Sequence, residues 1–216
     1  MKNIIQKVLV LGASGQIARH VIDQLADKPG VTQTLFARQP EKITQPHPVN
    51  SRIIMGDVLN HAALEQAMVG QDVVYANLTG EDLDLQAKAV IAAMKATGVR
   101  RLIFVLSLGI YDEVPGKFGE WNNAIIGEPL RPFRRAADAI EASGLDYTIL
   151  RPAWLTDEDT IDYELTTRNE PFKGTVVSRK SIAALIADMI DKPEKHIGEN
   201  IGVNQPGTDG DKPYFM

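Results

Sequence analysis

The stretch that decides the fold is Val8-Leu9-Val10-Leu11-Gly12-Ala13-Ser14-Gly15-Gln16-Ile17-Ala18. Its apolar residues 8–11, preceded by Lys7, indicate a buried strand over 7–11, and the apolar residues that follow Gly15 recur at helical spacing. Glycine at position 12 permits a sharp strand-to-helix turn, and glycine at position 15 lets a ligand phosphate approach the positive end of the helix. The small Ala18 allows the helix to pack closely on the sheet. The segment predicts a phosphate-binding turn rather than a purely structural one.

Short apolar runs continue to alternate with segments of helical period along most of the chain. Strands after the first are predicted at residues 34–37, 52–55, 72–76, 102–106, 147–150 and 200–203. Helices are predicted at residues 17–25, 64–68, 85–96, 133–142 and 182–190. The Gly- and Pro-rich residues 108–132 are predicted to be irregular. Because such alternation implies parallel strands joined by right-handed crossovers, we expect an α/β fold: a Rossmann-like doubly wound parallel sheet, in a three-layer sandwich with a small C-terminal appendage.

Length and composition fit one globular domain. The chain has 216 residues, of which 44% are hydrophobic, and burial on folding approaches roughly 70% of the surface at this size. Residues 1–205 are expected to form the domain, with 108–132 and 153–175 as loops on the substrate side of the sheet. The tail, residues 206–216, is rich in Gly, Asp and Pro and is expected to be mobile.

Composition and motif content exclude or disfavour several classes of function. A net charge of -5 and a pI near 5.4 argue against a nucleic-acid surface, which needs clustered Lys and Arg. The absence of cysteine excludes disulfides, thiolate metal sites and a Cys nucleophile. The four histidines lie far apart without metal-ligand spacing, and the Gly-x-Ser-x-Gly and Walker patterns are absent. We therefore expect no metal site and neither hydrolase nor P-loop chemistry.

The apolar runs of the sequence bear on its location. Residues 1–6 carry one Lys and two Ile and lack the apolar core of a signal peptide. No run reaches the roughly 18 apolar residues that a membrane helix needs. We expect a cytoplasmic protein with no membrane association.

Further motifs follow the glycine-rich turn in a fixed order. They are residues 56–58 (Gly-Asp-Val), Asn77 after the fourth strand, Ser107 after the fifth, residues 143–152 (Ser-Gly-Leu-Asp-Tyr-Thr-Ile-Leu-Arg-Pro) and residues 178–183 (Ser-Arg-Lys-Ser-Ile-Ala). Together with residues 12–18, this set resembles the atypical short-chain dehydrogenases, in their NmrA-like, NAD(P)-binding branch. The resemblance covers nearly the whole chain, and the motifs in this order are fairly specific for the fold.

The resemblance implies a bound nicotinamide dinucleotide. With the glycine-rich turn, it predicts cofactor contacts from Gly12, Ala13, Ser14, Gly15, Gln16, Ile17, Arg38, Asp57, Val58, Asn77, Leu78 and Thr79. Asp57 is expected to contact the adenine or its loop, although a turn role after Gly56 explains this residue equally well. Asn77 is expected to border the nicotinamide half of the cofactor, or else to be structural.

The choice between NAD and NADP depends on the end of the second strand. NAD-binding proteins usually place an Asp or Glu there to bond the adenosine ribose hydroxyls. This chain has Arg38 in that place, Lys42 shortly after it, and Glu41 beyond a proline. A guanidinium suits the 2′-phosphate of NADP. The sequence therefore predicts NADP, with a solvated surface arginine as the alternative interpretation.

The catalytic pair typical of short-chain dehydrogenases is missing. That pair is a Tyr-x-x-x-Lys pattern in which Tyr donates a proton, yet none of the five tyrosines has Lys four residues on. Ser107 remains, at the carboxyl end of the fifth strand, where ligands bind in open parallel sheets. Its hydroxyl is predicted to contact substrate or cofactor, or else to cap the strand. Tyr111 is a second candidate, as proton donor or as pocket lining.

Two further features lie near the expected substrate side. Arg151 follows a strand and could face the same cleft, whereas the family resemblance implies that it anchors loops. An apolar group is expected to form either a lid over the nicotinamide or plugs of the core; it comprises Phe118, Trp121, Asn122, Asn123, Ile125, Ile126 and Trp154.

The sequence supports two functions of different class. The first is an NADPH-dependent reductase of a small, fairly apolar carbonyl or quinone-like acceptor, with water or Tyr111 as the proton source. The second is a non-catalytic, NADP(H)-sensing regulatory protein that changes its protein partners. Ser107 and the aromatic residues favour the reductase, whereas the missing Tyr-x-x-x-Lys pair favours the sensor. Fold alone does not decide between them.

Overall fold

The computed structural model describes residues 5–216. The absence of a signal peptide is predicted from residues 1–6, of which residues 1–4 lie outside the described chain. The strands are β1 (Gln6–Leu11), β2 (Val31–Ala37), β3 (Ser51–Met55), β4 (Val73–Ala76), β5 (Arg101–Val105), β6 (Asp146–Pro152), β7 (Trp154–Thr156), β8 (Glu164–Thr166), β9 (Val176–Ser178) and β10 (Glu199–Asn204). The helices are α1 (Gln16–Leu25), α2 (His61–Met68), α3 (Leu83–Thr97), α4 (Gly116–Ile126), α5 (Arg131–Glu141) and α6 (Arg179–Asp191).

β7 and β9 pair in a small parallel sheet, and a separate eight-stranded sheet organises the molecule and confirms the predicted fold class. Within residues 5–216 it has the order β3-β2-β1-β4-β5-β6-β10-β8. All neighbouring pairs are parallel except β10 and β8, which pair antiparallel. The chain runs outward from β1 through β2 to β3, and then crosses back to place β4 on the other side of β1. This reversal is the topological switch point at which open α/β sheets bind their ligands.

The alternation of side chains along β1 explains the three layers. Val8 and Val10 pack into one core with α1 and α6, whereas Leu9 and Leu11 pack into a second core with α2, α3 and α5. All four side chains are fully buried. A strand that is apolar on both faces needs helices on both sides, so the central sheet is sandwiched.

The prediction that residues 108–132 are irregular is wrong, because α4 lies within them. Its sequence contains glycine and two asparagines, which have low helix propensity, so the local pattern is weak. Tertiary contacts stabilise the helix instead, because Phe118 and Asn122 are buried. A Cβ at Gly119 would lie 2.0 Å from the carbonyl oxygen of Val114, so only glycine lets the preceding loop pack this closely.

The C-terminal tail lies against the strand that leads into α6. The backbone amide and hydroxyl of Thr175 both donate to the carbonyl of Thr208, at 3.0 and 2.7 Å, and Pro213 is buried. These contacts attach the tail at two points, and its mobility in solution stays a prediction. No helix within residues 5–216 is long and apolar enough to cross a membrane.

Candidate functional site

A cleft opens at the switch point, where the carboxyl ends of β1, β2 and β4 meet. We call it the switch-point cleft. Its lining residues are Gly12, Ser14, Gly15, Phe36, Ala37, Arg38, Gln39, Gly56, Asp57, Val58, Asn77, Leu78, Thr79, Asp82 and Gln86. Four separate segments named by the sequence analysis, around positions 12, 38, 57 and 77, therefore meet at one place. Doubly wound sheets bind nucleotides in this position.

Gly12 makes the turn between β1 and α1. Its φ is +74°, in the left-handed region that favours glycine. A Cβ at this position would also lie 2.2 Å from the backbone carbonyl oxygen of Asn77. The turn is held by the carbonyl of Phe36, which accepts from the amides of Gly12 and Ala13 at 3.0 and 3.2 Å. Conformation and space both require glycine at position 12.

Gly15 is required for a different reason. Its backbone is extended, so conformation alone does not demand glycine. A Cβ there would lie 2.0 Å from Nδ2 of Asn77, whose side-chain amide occupies the space above it. The backbone of Asn77 is fixed, because its backbone N–H donates to the carbonyl of Leu11 at 2.9 Å. Gly15 and Asn77, which were both predicted to contact the cofactor, therefore lie against each other.

The first turn of α1 is able to hold an anion. Gly15 is the N-cap and offers no side-chain acceptor to the amides that follow it. Within α1, all of which is described, the first turn contains no acidic residue. The unpaired amides and the positive end of the helix dipole are thus uncompensated by protein groups. A dinucleotide pyrophosphate fits this donor set.

Arg38 lies directly after β2 and lines the same cleft. Its side chain is exposed, and none of the ion pairs found within residues 5–216 involves it. The guanidinium is therefore available to an anionic ligand. Lys42 ends the short 3-10 turn Pro40–Lys42 and does not line the cleft.

Asp57 takes the turn role that the sequence analysis held open, and it also lines the cleft. Its carboxylate accepts a hydrogen bond from the amide of Leu59 at 2.9 Å. The preceding Gly56 is packed against the ring of Phe36, whose Cζ would lie 2.4 Å from a Cβ at that position. The ring and the turn together form one wall of the cleft. Contact between Asp57 and an adenine stays a prediction.

The residues that line the cleft differ from the predicted cofactor contacts in two ways: some predicted residues are absent from the lining, and some lining residues were not predicted. Ala13, Gln16 and Ile17 do not line it, because Ala13 and Ile17 face the core. Sequence reasoning missed Phe36, Ala37, Gln39, Gly56, Asp82 and Gln86. Gln86 donates to the carbonyl of Thr79 at 3.1 Å and to the carboxylate of Asp82 at 2.7 Å. These contacts join the start of α3 to the loop after β4, a juxtaposition without a sequence motif.

Ser107 lies beyond β5, next to β6, and does not line the switch-point cleft. The amides on either side of it, at Leu106 and Leu108, donate to the carbonyls of Leu150 and Pro152 at 2.8 and 3.2 Å. Its side chain is half-buried. No hydrogen bond of its hydroxyl is found within residues 5–216. The hydroxyl is thus positioned by the backbone and is free to bond a ligand.

Tyr111 belongs to a polar network away from the switch-point cleft. We call this the Tyr111 network, and it comprises Tyr111, Glu113, Glu141, Arg151, Arg168 and Asn200. The Tyr111 hydroxyl donates to Glu141 at 3.1 Å and accepts from Asn200 at 2.7 Å. The guanidiniums of Arg134 and Arg168 lie 4.6 and 4.2 Å from the centre of its ring. Burial, more than the nearby Glu141, raises the pKa of Tyr111 to about 12, although the hydrogen bond to Arg168 acts in the opposite direction.

Arg151 lies within β6 rather than after a strand, and it anchors loops as the family resemblance implied. Its side chain is fully buried, and it donates to Oδ1 of Asn200 at 2.8 Å and to the carbonyl of Thr167 at 3.2 Å. It also forms an ion pair with Glu113. Arg151 therefore joins β6, β10 and two loops, and Glu113 is a participant that the sequence analysis did not name.

The aromatic residues of α4 combine features of a lid and of core plugs. Phe118 is buried in the core, whereas Trp121 and Trp154 remain half-exposed. The two indole rings lie 4.9 Å apart, at 54° to each other. The Trp154 indole N–H donates to the buried Asn122 at 2.9 Å. Phe118 is thus a plug, and the two tryptophans leave an apolar surface near the carboxyl end of β6.

Comparisons with known proteins agree with this geometry. Residues 12–193 match the model of the NAD(P)H-binding family. A Rossmann-fold NAD(P)-binding family protein from Shigella flexneri is 76% identical over 98% of this chain and 100% of its own, with a TM-score of 0.86. A short-chain dehydrogenase/reductase from Veillonella parvula DSM 2008, in complex with NADP, is 29% identical over 97% of this chain and 99% of its own, with a TM-score of 0.91. The uncharacterized sugar epimerase YhfK of Bacillus subtilis (strain 168) is 29% identical over 82% of this chain and 79% of its own. The predicted resemblance to atypical short-chain dehydrogenases is confirmed.

Proposed function

Because this chain belongs to the NAD(P)H-binding family, we propose that it is an NADPH-dependent reductase of a small, fairly apolar carbonyl or quinone-like acceptor. The observation that carries the proposal is the switch-point cleft, in which the uncompensated start of α1 and the unpaired Arg38 share one opening. NADPH would supply a hydride when bound. The chain's own part is to bind it and to orient the acceptor.

The preference for NADP rests on Arg38. A planar guanidinium can bond the oxygens of a 2′-phosphate in pairs, and that phosphate carries close to two negative charges. NAD has only hydroxyls there, and β2 is followed by Arg38 and Gln39 rather than by a carboxylate. The relative from Veillonella parvula was solved with NADP, which supports the same preference.

We propose that the acceptor binds near Ser107, and we call this region the acceptor end of the site. The Ser107 hydroxyl is free within the described chain, and the backbone amides on either side of Ser107 donate to two carbonyls of β6. We propose that the hydroxyl donates a hydrogen bond to the acceptor oxygen, on which negative charge develops during reduction. The half-exposed Trp121 and Trp154 offer apolar surface to the rest of the acceptor.

Water is the proton source that we propose. The Tyr111 hydroxyl is already engaged by Glu141 and Asn200. A pKa near 12 also makes it a poor acid at neutral pH, because a general acid works best with a pKa near the working pH. A catalytic role for Tyr111 stays a prediction, and its substitution tests that role.

A second candidate function is an NADP(H)-sensing regulatory protein. The observation in its favour is that the Tyr-x-x-x-Lys pair is missing, while the Tyr111 hydroxyl is bonded to Glu141 and Asn200. Such a protein would bind NADPH without turnover and would change its affinity for a protein partner. One of the relatives also carries the description of a sugar epimerase, so sugars belong among the compounds to be tested.

The deciding experiment follows NADPH consumption by its absorbance, with quinones, aldehydes, flavins and sugars as acceptors. The reductase proposal expects saturable turnover with at least one quinone or aldehyde and tight binding of NADPH by calorimetry. Tight binding with no turnover across the panel would favour the sensor. Failure to bind either nicotinamide cofactor would overturn both.

A further inference from the structure

We infer that Glu113 is a positioning residue of the acceptor end. Its carboxylate, held by the buried Arg151, fixes the segment 107–113 that begins with Ser107. The contacts of Glu113 are present in the structure whatever the protein's function, whereas their effect on turnover rests on the proposed function.

Glu113 closes the turn that follows Ser107. One of its carboxylate oxygens accepts from the amide of Gly109 at 3.0 Å, and the other accepts from the amide of Tyr111 at 2.9 Å. The backbone between these amides and the carboxylate is unusual, with φ of +83° at Gly109 and +58° at Asp112. A non-glycine residue in the left-handed region is disfavoured and needs surrounding contacts to hold it. The two bonds to Glu113 supply such contacts.

Arg151 ties that carboxylate to the sheet. The Arg151 side chain is 0% exposed and that of Glu113 is 5% exposed. A buried charge without a partner is strongly unfavourable, so each of the two groups constrains the other. The backbone carbonyl of Glu113 also accepts from the amide of Phe172 at 2.8 Å. Glu113 is therefore fixed from both its side chain and its backbone.

The register of β6 directs this restraint to Ser107. The carbonyls of Leu150 and Pro152 accept from the amides before and after Ser107. Arg151, which lies between those two residues, sends its side chain to Glu113, and Glu113 returns to the amides of Gly109 and Tyr111. Three consecutive residues of β6 thus hold the Ser107 backbone and the turn behind it. Loss of the carboxylate leaves the two strand bonds in place but releases the turn.

Stability of the fold alone does not explain why the buried ion pair of Glu113 and Arg151 is present. Buried ion pairs contribute little net stability compared with well-packed apolar residues of similar volume. The specific property of a carboxylate here is that both oxygens accept, so that it holds two amides and the guanidinium at once. A glutamine at position 113 has one acceptor oxygen, so it leaves at least one of the amides without its partner.

The test compares Glu113→Gln with a destabilised control that lies elsewhere. Arg101→Met is that control, because Arg101 is a buried arginine at the other end of β5, bonded to the carbonyls of Asp146 and Lys195 at 2.9 Å each. Amide hydrogen exchange of the peptide 106–115 is measured by mass spectrometry below the Tm of every variant. Glu113→Gln should speed exchange in that peptide by at least about tenfold, since a lost bond to a charged group is worth that factor. Arg101→Met should leave the peptide unchanged.

Kinetics test whether Glu113 affects turnover, and a double variant tests whether Glu113 acts only through the stability of the fold. In Glu113→Gln, kcat/KM for the acceptor should fall at least about tenfold while the Kd of NADPH stays within about twofold. In Glu113→Gln with Arg151→Met, the unpaired charge is gone, so Tm should recover while exchange and kcat/KM stay impaired. Recovery of all three, or unchanged exchange in Glu113→Gln, would overturn the inference. If the wild type reduces no acceptor, the proposed function fails, yet the exchange arm still decides whether Glu113 holds the turn.

Discussion

The switch-point cleft and the Tyr111 network depend on different parts of the chain: the backbone in one and side chains in the other. At the glycine-rich turn of the cleft, the decisive atoms belong to the backbone and to glycines close in sequence, such as Gly12 and Gly15. In the network, they belong to side chains far apart in sequence, such as Tyr111 and Asn200, which are 89 residues apart. A backbone site is disturbed by added atoms, whereas a side-chain network is disturbed by removed ones. The two regions should therefore respond to opposite kinds of substitution.

The largest effect is expected where atoms are added to the cleft. Gly15→Val puts a branched side chain into the space of the Asn77 amide, which lies 2.0 Å from an ideal Cβ. Displacement of Asn77 and crowding of the first turn of α1 should weaken NADPH by at least about a hundredfold, or roughly 2.7 kcal/mol. Calorimetry measures the Kd. Gly210→Val is the matched control, because the nearest atom to a Cβ there, the carbonyl oxygen of Lys212, lies 3.5 Å away. Unchanged NADPH affinity in Gly15→Val would place the cofactor elsewhere.

Removal of one charge in the cleft should have a smaller and selective effect. Arg38→Ala should weaken NADPH by about ten- to a hundredfold, because charge-assisted bonds contribute roughly 1.5–3 kcal/mol. NADH affinity should hardly change, since NADH has no 2′-phosphate. Lys42→Ala is the comparison variant, and its exposed charge should give a smaller loss that salt screens. Equal losses for NADH and NADPH in Arg38→Ala would mean that Arg38 supports the loop rather than binds the phosphate.

The same contrast explains how much the sequence could reveal. Seven strands of the eight-stranded sheet were predictable because each is a local apolar run, whereas β8 lies in the predicted loop 153–175 and was missed. Gly12, Gly15 and Arg38 were predictable because their spacing after a strand is characteristic. Helix α4 was not, since buried Phe118 and Asn122 stabilise it against a weak local propensity. Glu113 was not either, because an acid in a Pro- and Gly-rich stretch looks like an exposed loop residue until Arg151 is placed beside it.

At the acceptor end, removal of one hydroxyl should affect turnover without affecting the cofactor. Ser107→Ala should lower kcat by about tenfold, as expected for one lost hydrogen bond to a developing charge. The Kd of NADPH should stay within about twofold, because Ser107 does not line the switch-point cleft. Stopped-flow single turnovers and calorimetry separate the two quantities. A loss confined to NADPH affinity would move Ser107 into the cofactor site and weaken the proposed role.

The smallest effect on activity is expected at Tyr111, although its effect on stability depends on pH. Tyr111→Phe should leave kcat within about twofold at pH 7, because a hydroxyl with a pKa near 12 that bonds Glu141 and Asn200 is not the proton donor. A loss of about a hundredfold or more in kcat would instead make Tyr111 the donor.

Stability gives the second measurement on the same variant. The folded-state pKa of Tyr111, about 12, exceeds the unfolded value of about 10, so its contribution is fully present below pH 10 and is lost as pH rises toward 12. Between pH 8 and pH 11 the wild type should therefore lose about 1 kcal/mol more than Tyr111→Phe, measured by urea unfolding. Burial also raises the pKa of Tyr75, but both proteins contain Tyr75, so its contribution cancels in the difference. Parallel pH dependence in the two proteins would show that Tyr111 titrates as if exposed, and the network would then be looser than its hydrogen bonds indicate.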